Sequence, residues 1–251
     1  MKPTKEGFAV SNGAQIHYEV YGAGLPLALL HGNSEDSRYF DRQIPFFATH
    51  YTVVAIDSRA HGQSTRGDRP LDFHTMADDV VATLDHLSIT QAALLGFSDG
   101  GNTALHVALT VPERVRALIL AGANLFPKGM TRSAYAQVLA GYIGYRAGGL
   151  FSSCARAAAE RWALMAFHPK LTPDDLAPLC IPILVIAGEH DMIRQTHTRL
   201  IASAIDNATL RIIPNAGHFI ADKMPDLFNR TVEAFLKSTE YSGTSDENKG
   251  K

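Results

Sequence analysis

Three residues far apart in the chain carry side chains that could act together: Ser98, Asp191 and His218. A serine hydroxyl is a weak nucleophile. It attacks a carbonyl usefully only when a base takes its proton, a third group holds that base, and hydrogen-bond donors meet the oxyanion that forms. Ser98 lies in Gly96-Phe97-Ser98-Asp99-Gly100, a G-x-S-x-G run after an apolar stretch and before a helical pattern. That context suits a sharp strand-to-helix turn, where close neighbours require small residues on either side of the serine. Asp191 ends the run Pro182 to Asp191, a strand pattern closing in a glycine-containing loop, with Glu189 as a rival carboxylate. An aspartate there is more often a turn former, but order and spacing favour Asp191.

His218 follows the last strand pattern in Pro214-Asn215-Ala216-Gly217-His218-Phe219. Of the 11 histidines, a surface or helix position accounts for His17, His50, His74, His86, His106 and His197 without chemistry. His218 stands apart because Ser98, Asp191 and His218 each fall on a strand-end loop, in a chain order that resembles that of the α/β-hydrolase triad. For the oxyanion, Leu29-Leu30-His31-Gly32-Asn33-Ser34 leaves an earlier strand, so the backbone amides of Asn33 and Asp99 are the expected donors. Alone, His31-Gly32-Asn33 reads as an ordinary turn.

Eight β-rich runs position these groups: Phe8 to Val10, Gln15 to Tyr21, Pro26 to Leu30, Thr52 to Asp57, Ala92 to Phe97, Val115 to Ala121, Pro182 to Ala187 and Ala208 to Ile213. Asn12-Gly13 between the first two signals a type I′ hairpin. Later runs are nearly continuously apolar and alternate with helical patterns, the mark of a mostly parallel sheet covered on both faces. The spacing predicts a helix after Asp72, a second after Gly101 and a third carrying Leu227, Val232, Phe235 and Leu236. From 125 to 179 the alternation stops. Helical, aromatic-rich sequence there (Tyr135, Tyr142, Tyr145, Phe151, Trp162, Met165, Phe167) reads as a small helical cap inserted into a core of 1–124 and 180–237. Residues 238–251 hold one aromatic and no aliphatic side chain, the composition of a disordered tail.

At 251 residues, the chain has room for one large domain or one domain with an insertion. Hydrophobic residues at 46% and charged residues at 19% exclude a disordered or collagenous protein. Lys and Arg total 23 against 25 Asp and Glu, with no basic block, so no nucleic-acid partner is expected. No signal peptide or membrane-length apolar run is visible, and a cytoplasmic location without a membrane partner is expected. Cys154 and Cys180 read as buried small hydrophobes. No metal is expected, since H-E-x-x-H is missing and His190 beside Asp191 is not a chelating spacing; no glycine-rich dinucleotide fingerprint points to a cofactor.

The elbow, acid and histidine together resemble the α/β-hydrolase superfamily of serine hydrolases, from about Gly7 to Lys237. Asp57-Ser58-Arg59-Ala60-His61-Gly62-Gln63-Ser64 resembles its D-x-R-G-x-G-x-S loop, with Ala60 where glycine is usual. The resemblance implies acyl transfer: Ser98 attacks an ester carbonyl, His218 takes its proton, Asp191 holds the imidazole, and water then cleaves the acyl-enzyme. Haloalkane and epoxide chemistry are disfavoured because the nucleophile is not a carboxylate. Carbon-carbon, lactone and thioester hydrolysis and peracid formation share the triad, and a non-catalytic small-ligand receptor of the same fold is the contrasting class. The stretch Gly96 to Gly101 with Thr103-Ala104-Leu105 is similar to the valacyclovir hydrolase-like branch, which cleaves esters of amino acids. There the resemblance implies that Asp99 pairs with a substrate ammonium; equally, Asp99 would pair with a cap residue or cap the nearby helix.

Overall fold

Asn12 and Gly13 both take positive φ, 45° and 77°, the backbone that a two-residue type I′ turn needs. They join β1 (Lys5–Ser11) to β2 (Ala14–Tyr21) as an antiparallel hairpin. The computed structural model, which describes residues 1–241, continues with β3 (Leu25–Leu30), α1 (Ile44–Phe47), β4 (Tyr51–Ile56), α2 (Phe73–His86) and β5 (Ala92–Phe97). After β5 come α3 (Asp99–Thr110), β6 (Val115–Ala121), α4 (Arg132–Gly148), α5 (Ser153–Phe167) and β7 (Ile183–Gly188). The last elements are α6 (Gln195–Ser203), β8 (Ala208–Ile213), α7 (Ile220–Lys223) and α8 (Pro225–Tyr241). The eight strands form one sheet in the order β1-β2-β4-β3-β5-β6-β7-β8, antiparallel up to the β2–β4 pair and parallel beyond it.

Strand side chains alternate between two faces, and each face meets its own helices. Ala28, Leu30, Leu94, Leu118 and Val185 pack with Val80 and Leu84 of α2, Leu105 of α3 and Ile201 of α6. On the other face Leu27, Leu29, Leu95, Ile119 and Ile186 pack with Phe47 of α1 and Phe228, Val232 and Leu236 of α8. Burial on both faces explains why these strands read as continuous apolar runs. Asp72 caps α2 by accepting Thr75 N–H at 2.8 Å, and Arg59 ties the loop after β4 to α2 through a buried two-point pair with Asp79. Ala60 in that loop sits at φ 62°, a left-handed backbone that costs a non-glycine residue about 1–2 kcal/mol.

Between β6 and β7, α4 and α5 pack on each other through Tyr142 against Phe167 and Tyr145 against Trp162. At Gly141 a side chain would collide with the Trp162 ring. The pair meets the rest of the chain where Leu164 packs on Phe73 and Met76 and where Ala134, Val138 and Ala166 cluster with Met130 and Ile193.

Five expectations need correction. Helix α3 begins at Asp99 instead of after Gly101, because Gly100 and Gly101 lie in its first turn; a Cβ on Gly100 would strike the Leu30 carbonyl of β3. Cys154 and Cys180 are exposed thiols, not buried hydrophobes: one sits in the first turn of α5 off its packing face, the other in the loop before β7. His17 is buried on β2, bonded to Asp57 and near Glu6. Leu227 is 45% exposed, since the buried stripe of α8 runs through Phe228 instead. Helix α8 continues to Tyr241, so residues 238–241 are helical; the remainder of the expected tail, 242–251, lies outside the described residues. Among the described residues no helix is long and apolar enough to cross a membrane.

Candidate active site

Ser98 follows β5 directly, at φ 53° and ψ −119°. This backbone is strained for any residue but glycine, and it is held by Ser98 N–H donating to Ala121 O at 2.8 Å. Ser98 Oγ lies 3.2 Å from His218 Nε2, and His218 Nδ1 lies 2.7 Å from Asp191 Oδ1. The carboxylate is acceptor-only, so Nδ1 carries the proton and the Nε2 lone pair faces the serine hydroxyl. Asp191 Oδ1 is itself oriented by accepting Ile193 N–H at 2.8 Å. The loops carrying Asp191 and His218 are clipped together by His190 N–H donating to Ala216 O. Glu189, the rival carboxylate, accepts Asn215 N–H at 3.0 Å and is not part of the chain of bonds.

His218 rests against Phe97, ring centroids 4.8 Å apart, and against Gly122. A Cβ at Gly122 would lie 2.8 Å from His218 Cε1 and 3.0 Å from Nδ1, on a backbone with φ 63°. Gly122→Ala is therefore expected to displace the imidazole and lower kcat by about 100-fold, the usual cost of a 1 Å misplacement, with KM changed far less. Steady-state kinetics of the purified variant would check this, and a kcat within threefold of wild type would show the ring position to be uncritical.

The turn after β3 is more organised than the sequence suggested. His31 Nε2 accepts Ser58 N–H at 2.9 Å, which leaves the proton on Nδ1, and Nδ1 donates to Gly32 O at 2.8 Å. Burial lowers the His31 pKa and keeps the ring neutral. A trans peptide sets its N–H opposite its C=O, so anchoring the Gly32 carbonyl aims the Asn33 N–H the other way. Among the described residues neither the Asn33 nor the Asp99 backbone N–H meets an acceptor, so both are free to donate. The part played by His31 was not legible in sequence, since Ser58 lies 27 residues away.

Asp99 is buried and paired with amides. Asn33 Nδ2 donates both to Asp99 Oδ2 at 2.8 Å and to the Arg161 carbonyl of α5 at 2.7 Å; Asn102 Nδ2 adds a longer contact at 3.4 Å. Among the described residues, the hydrogen-bonded link from Asp99 to the α4–α5 segment runs through Asn33. No lysine or arginine pairs with it among the described residues, and burial pushes its pKa up to about 6. Ser98 and Asp99 border a cavity of about 10 Å³ walled by Met130, Met165, Met192 and Ile193. These methionines come from three separate segments, so no local pattern reveals them. A larger cavity of about 530 Å³ between α4 and α5 touches none of Ser98, Asp191 and His218.

Glu6, His17 and Glu19 form the grouping of metal-ligating side chains among the described residues. They lie on the β1–β2 hairpin, where His17 Nε2 is 3.2 Å from Glu6 Oε1 and Tyr21 donates to Glu19, so they already engage neighbours.

A family model described as alpha/beta hydrolase fold matches residues 26–163. The chain is 30% identical to 3-oxoadipate enol-lactonase 2 of Acinetobacter baylyi, over 88% of this chain and 93% of that protein. It is 29% identical to serine hydrolase BPHL of Mus musculus, over 90% and 84%. The crystal structure of the esterase RhEst1 from Rhodococcus sp. ECU1013 superposes with a TM-score of 0.79 at 25% identity, covering 95% of this chain and all of that one.

Proposed function

The chain belongs to the α/β-hydrolase fold family and is a hydrolase of that type; from this membership we propose that it cleaves small carboxylic esters through an acyl-enzyme on Ser98. The unbroken chain of bonds from Asp191 through His218 to Ser98 carries the reading. His218 takes the Ser98 proton as Oγ attacks the carbonyl carbon, and the Asn33 and Asp99 amides receive the oxyanion. His218 then returns the proton to the leaving alcohol. Water repeats the sequence on the acyl-enzyme and releases the acid.

Residues 125–179 act in this reading as a cap over the acyl side. A cavity of about 10 Å³ holds about one water, so an acyl group enters by displacing Met165 and its methionine neighbours, side chains flexible enough to do so. The favoured acyl group is compact and carries an α-ammonium, because a buried carboxylate that borders the nucleophile and lacks a cation supports recognition of a positive charge. A lactone, whose leaving alcohol stays tethered, is the second reading, supported by the enol-lactonase relative.

Initial rates on matched esters, one with a free α-amino group and one N-acetylated, together with a simple lactone, test these readings in wild type and Asp99→Asn. A preference of about tenfold or more for the free amine, about 1.4 kcal/mol, is expected and should vanish in Asp99→Asn. Its pH dependence follows from two ionisations. Asp99 gains its charge as pH rises through about 6, and the amine loses its charge near 8, so the preference should peak between them. Equal rates on both esters would make Asp99 structural and the acyl group uncharged; a faster lactone would favour the second reading.

A further inference from the structure

Glu35 is a half-buried carboxylate that no step above uses. It belongs to the turn from Gly32 to Glu35 and closes it from both sides. Gly32 N–H donates to Glu35 Oε2 at 3.0 Å, and Glu35 N–H reaches back to Gly32 O at 3.4 Å. The turn needs such a hold, since Ser34 within it sits at φ 60°, a backbone that favours glycine. A Cβ at Gly32 would lie 2.9 Å from Glu35 Oε2 and 3.0 Å from the Phe97 ring, so the carboxylate is packed tightly against the main chain. His31 therefore grips the carbonyl of Gly32 while Glu35 grips its amide, and the next N–H is that of Asn33.

Several groups face Glu35 from the elements around it. His218, after β8, favours the charged carboxylate, whereas Asp36 on the same loop and Asp222 on α7 oppose it. Tyr39 also lies close by, its ring stacked on Phe97 at 4.4 Å and its hydroxyl buried without a partner. We propose that Glu35 is a positioning residue for acyl transfer: its carboxylate fixes the turn that presents the Asn33 amide, and its negative charge faces His218, where the imidazolium forms. The inference rests on the Ser98 reading given above.

An oxyanion donor acts on the transition state and not on the bound ester, so the effect belongs in kcat. Burial pushes Glu35 up to about 7. Below that pH it takes a proton, loses its charge and becomes a weaker acceptor, so kcat falls on the acid side through an ionisation that belongs to Glu35.

The experiment measures kcat and KM from pH 5 to 9 for wild type, Glu35→Gln, Glu35→Ala and Asp36→Asn, with thermal unfolding of each. At pH 8 Glu35→Ala is expected to lose about 100-fold in kcat, comparable to removing an oxyanion donor, with KM within threefold. Glu35→Gln keeps an acceptor oxygen without the charge, so it should recover part of that loss, converge on wild type at pH 6, and lack the acid-side ionisation near pH 7. Asp36→Asn should retain that ionisation. A Glu35→Ala kcat within threefold of wild type, a proportionate change in KM, or persistence of the ionisation near pH 7 in Glu35→Gln would each overturn the proposal, as would its loss in Asp36→Asn. If Glu35→Ala does not fold, the acid limb of Glu35→Gln decides alone. Activity surviving in Ser98→Ala would overturn the underlying mechanism instead, a result separable from all of these.

Discussion

Ser98→Ala is expected to lower kcat by about a millionfold while leaving the unfolding midpoint nearly unchanged. Among the described residues the side chain has one hydrogen-bond partner, His218 Nε2 at 3.2 Å, so removing Oγ deletes the nucleophile without orphaning a structural group. The amides of Asn33 and Asp99 stay in place. For that reason a residual rate of about 10³ to 10⁴ over uncatalysed hydrolysis should remain, supplied by oxyanion donors and binding. Stability is governed by the backbone, which an alanine must hold at the same φ of 53° and ψ of −119°. Glycine adopts that region freely. Ser98→Gly should therefore be as inactive as Ser98→Ala yet unfold at a higher temperature, the strain of about 1–3 kcal/mol being relieved in part. Ester kinetics and calorimetry on the two variants check both halves. A Ser98→Ala kcat within tenfold of wild type would mean that attack does not come from Oγ.

What sequence made legible was what neighbours along the chain decide. Gly96-Phe97-Ser98-Asp99-Gly100 specifies strand, turn and helix within five residues, because Gly96 faces the Gly100 carbonyl across the turn and has no room for a side chain. The β1–β2 hairpin likewise follows from Asn12 and Gly13 alone, and the two-sided burial of β5 to β7 from their unbroken apolar runs. The start of α3 was misplaced because Gly100 and Gly101 lie inside its first turn, where Gly100 admits the Leu30 carbonyl of β3 and Gly101 packs beside Ala123 and the Gly96 carbonyl. Cys154 and Cys180 were misjudged because exposure of a small side chain depends on tertiary neighbours, at Cys154 on which face of α5 is packed and at Cys180 on how the loop before β7 runs.

The features that shape the site beyond the elbow depend on distant partners. Asn33 reaches Arg161 across 128 residues; His31 finds Ser58; the methionine wall draws on three segments. Asp99 illustrates the limit well. Sequence left it between a substrate contact and a structural partner, and the fold gives it features of both, an amide-paired carboxylate that still borders the nucleophile.

Asp191→Asn is expected to cost about 10⁴ in kcat with little change in KM, and to destabilise the protein as well. Asp191 Oδ1 accepts both His218 Nδ1–H and Ile193 N–H, while Oδ2 is buried with no hydrogen-bond partner among the described residues. An asparagine has two ways to occupy this slot. With its oxygen at the Oδ1 position, both bonds survive, but the NH₂ group fills the Oδ2 position and two donors are buried unpaired, at about 1–3 kcal/mol. The imidazole tautomer is then correct, and what is lost is the negative charge that stabilises the imidazolium. With the amide turned round, NH₂ faces the Ile193 N–H, and the proton of His218 is driven to Nε2, where it can no longer receive the serine's proton. Either arrangement removes catalysis and lowers the unfolding midpoint, and an NMR assignment of the His218 tautomer would tell them apart. Glu189→Gln supplies the contrast: its amide oxygen can still accept Asn215 N–H, so its kcat should stay near wild type. If Asp191→Asn retained more than a tenth of the wild-type kcat and Glu189→Gln did not, the orienting carboxylate would have to be reassigned to Glu189.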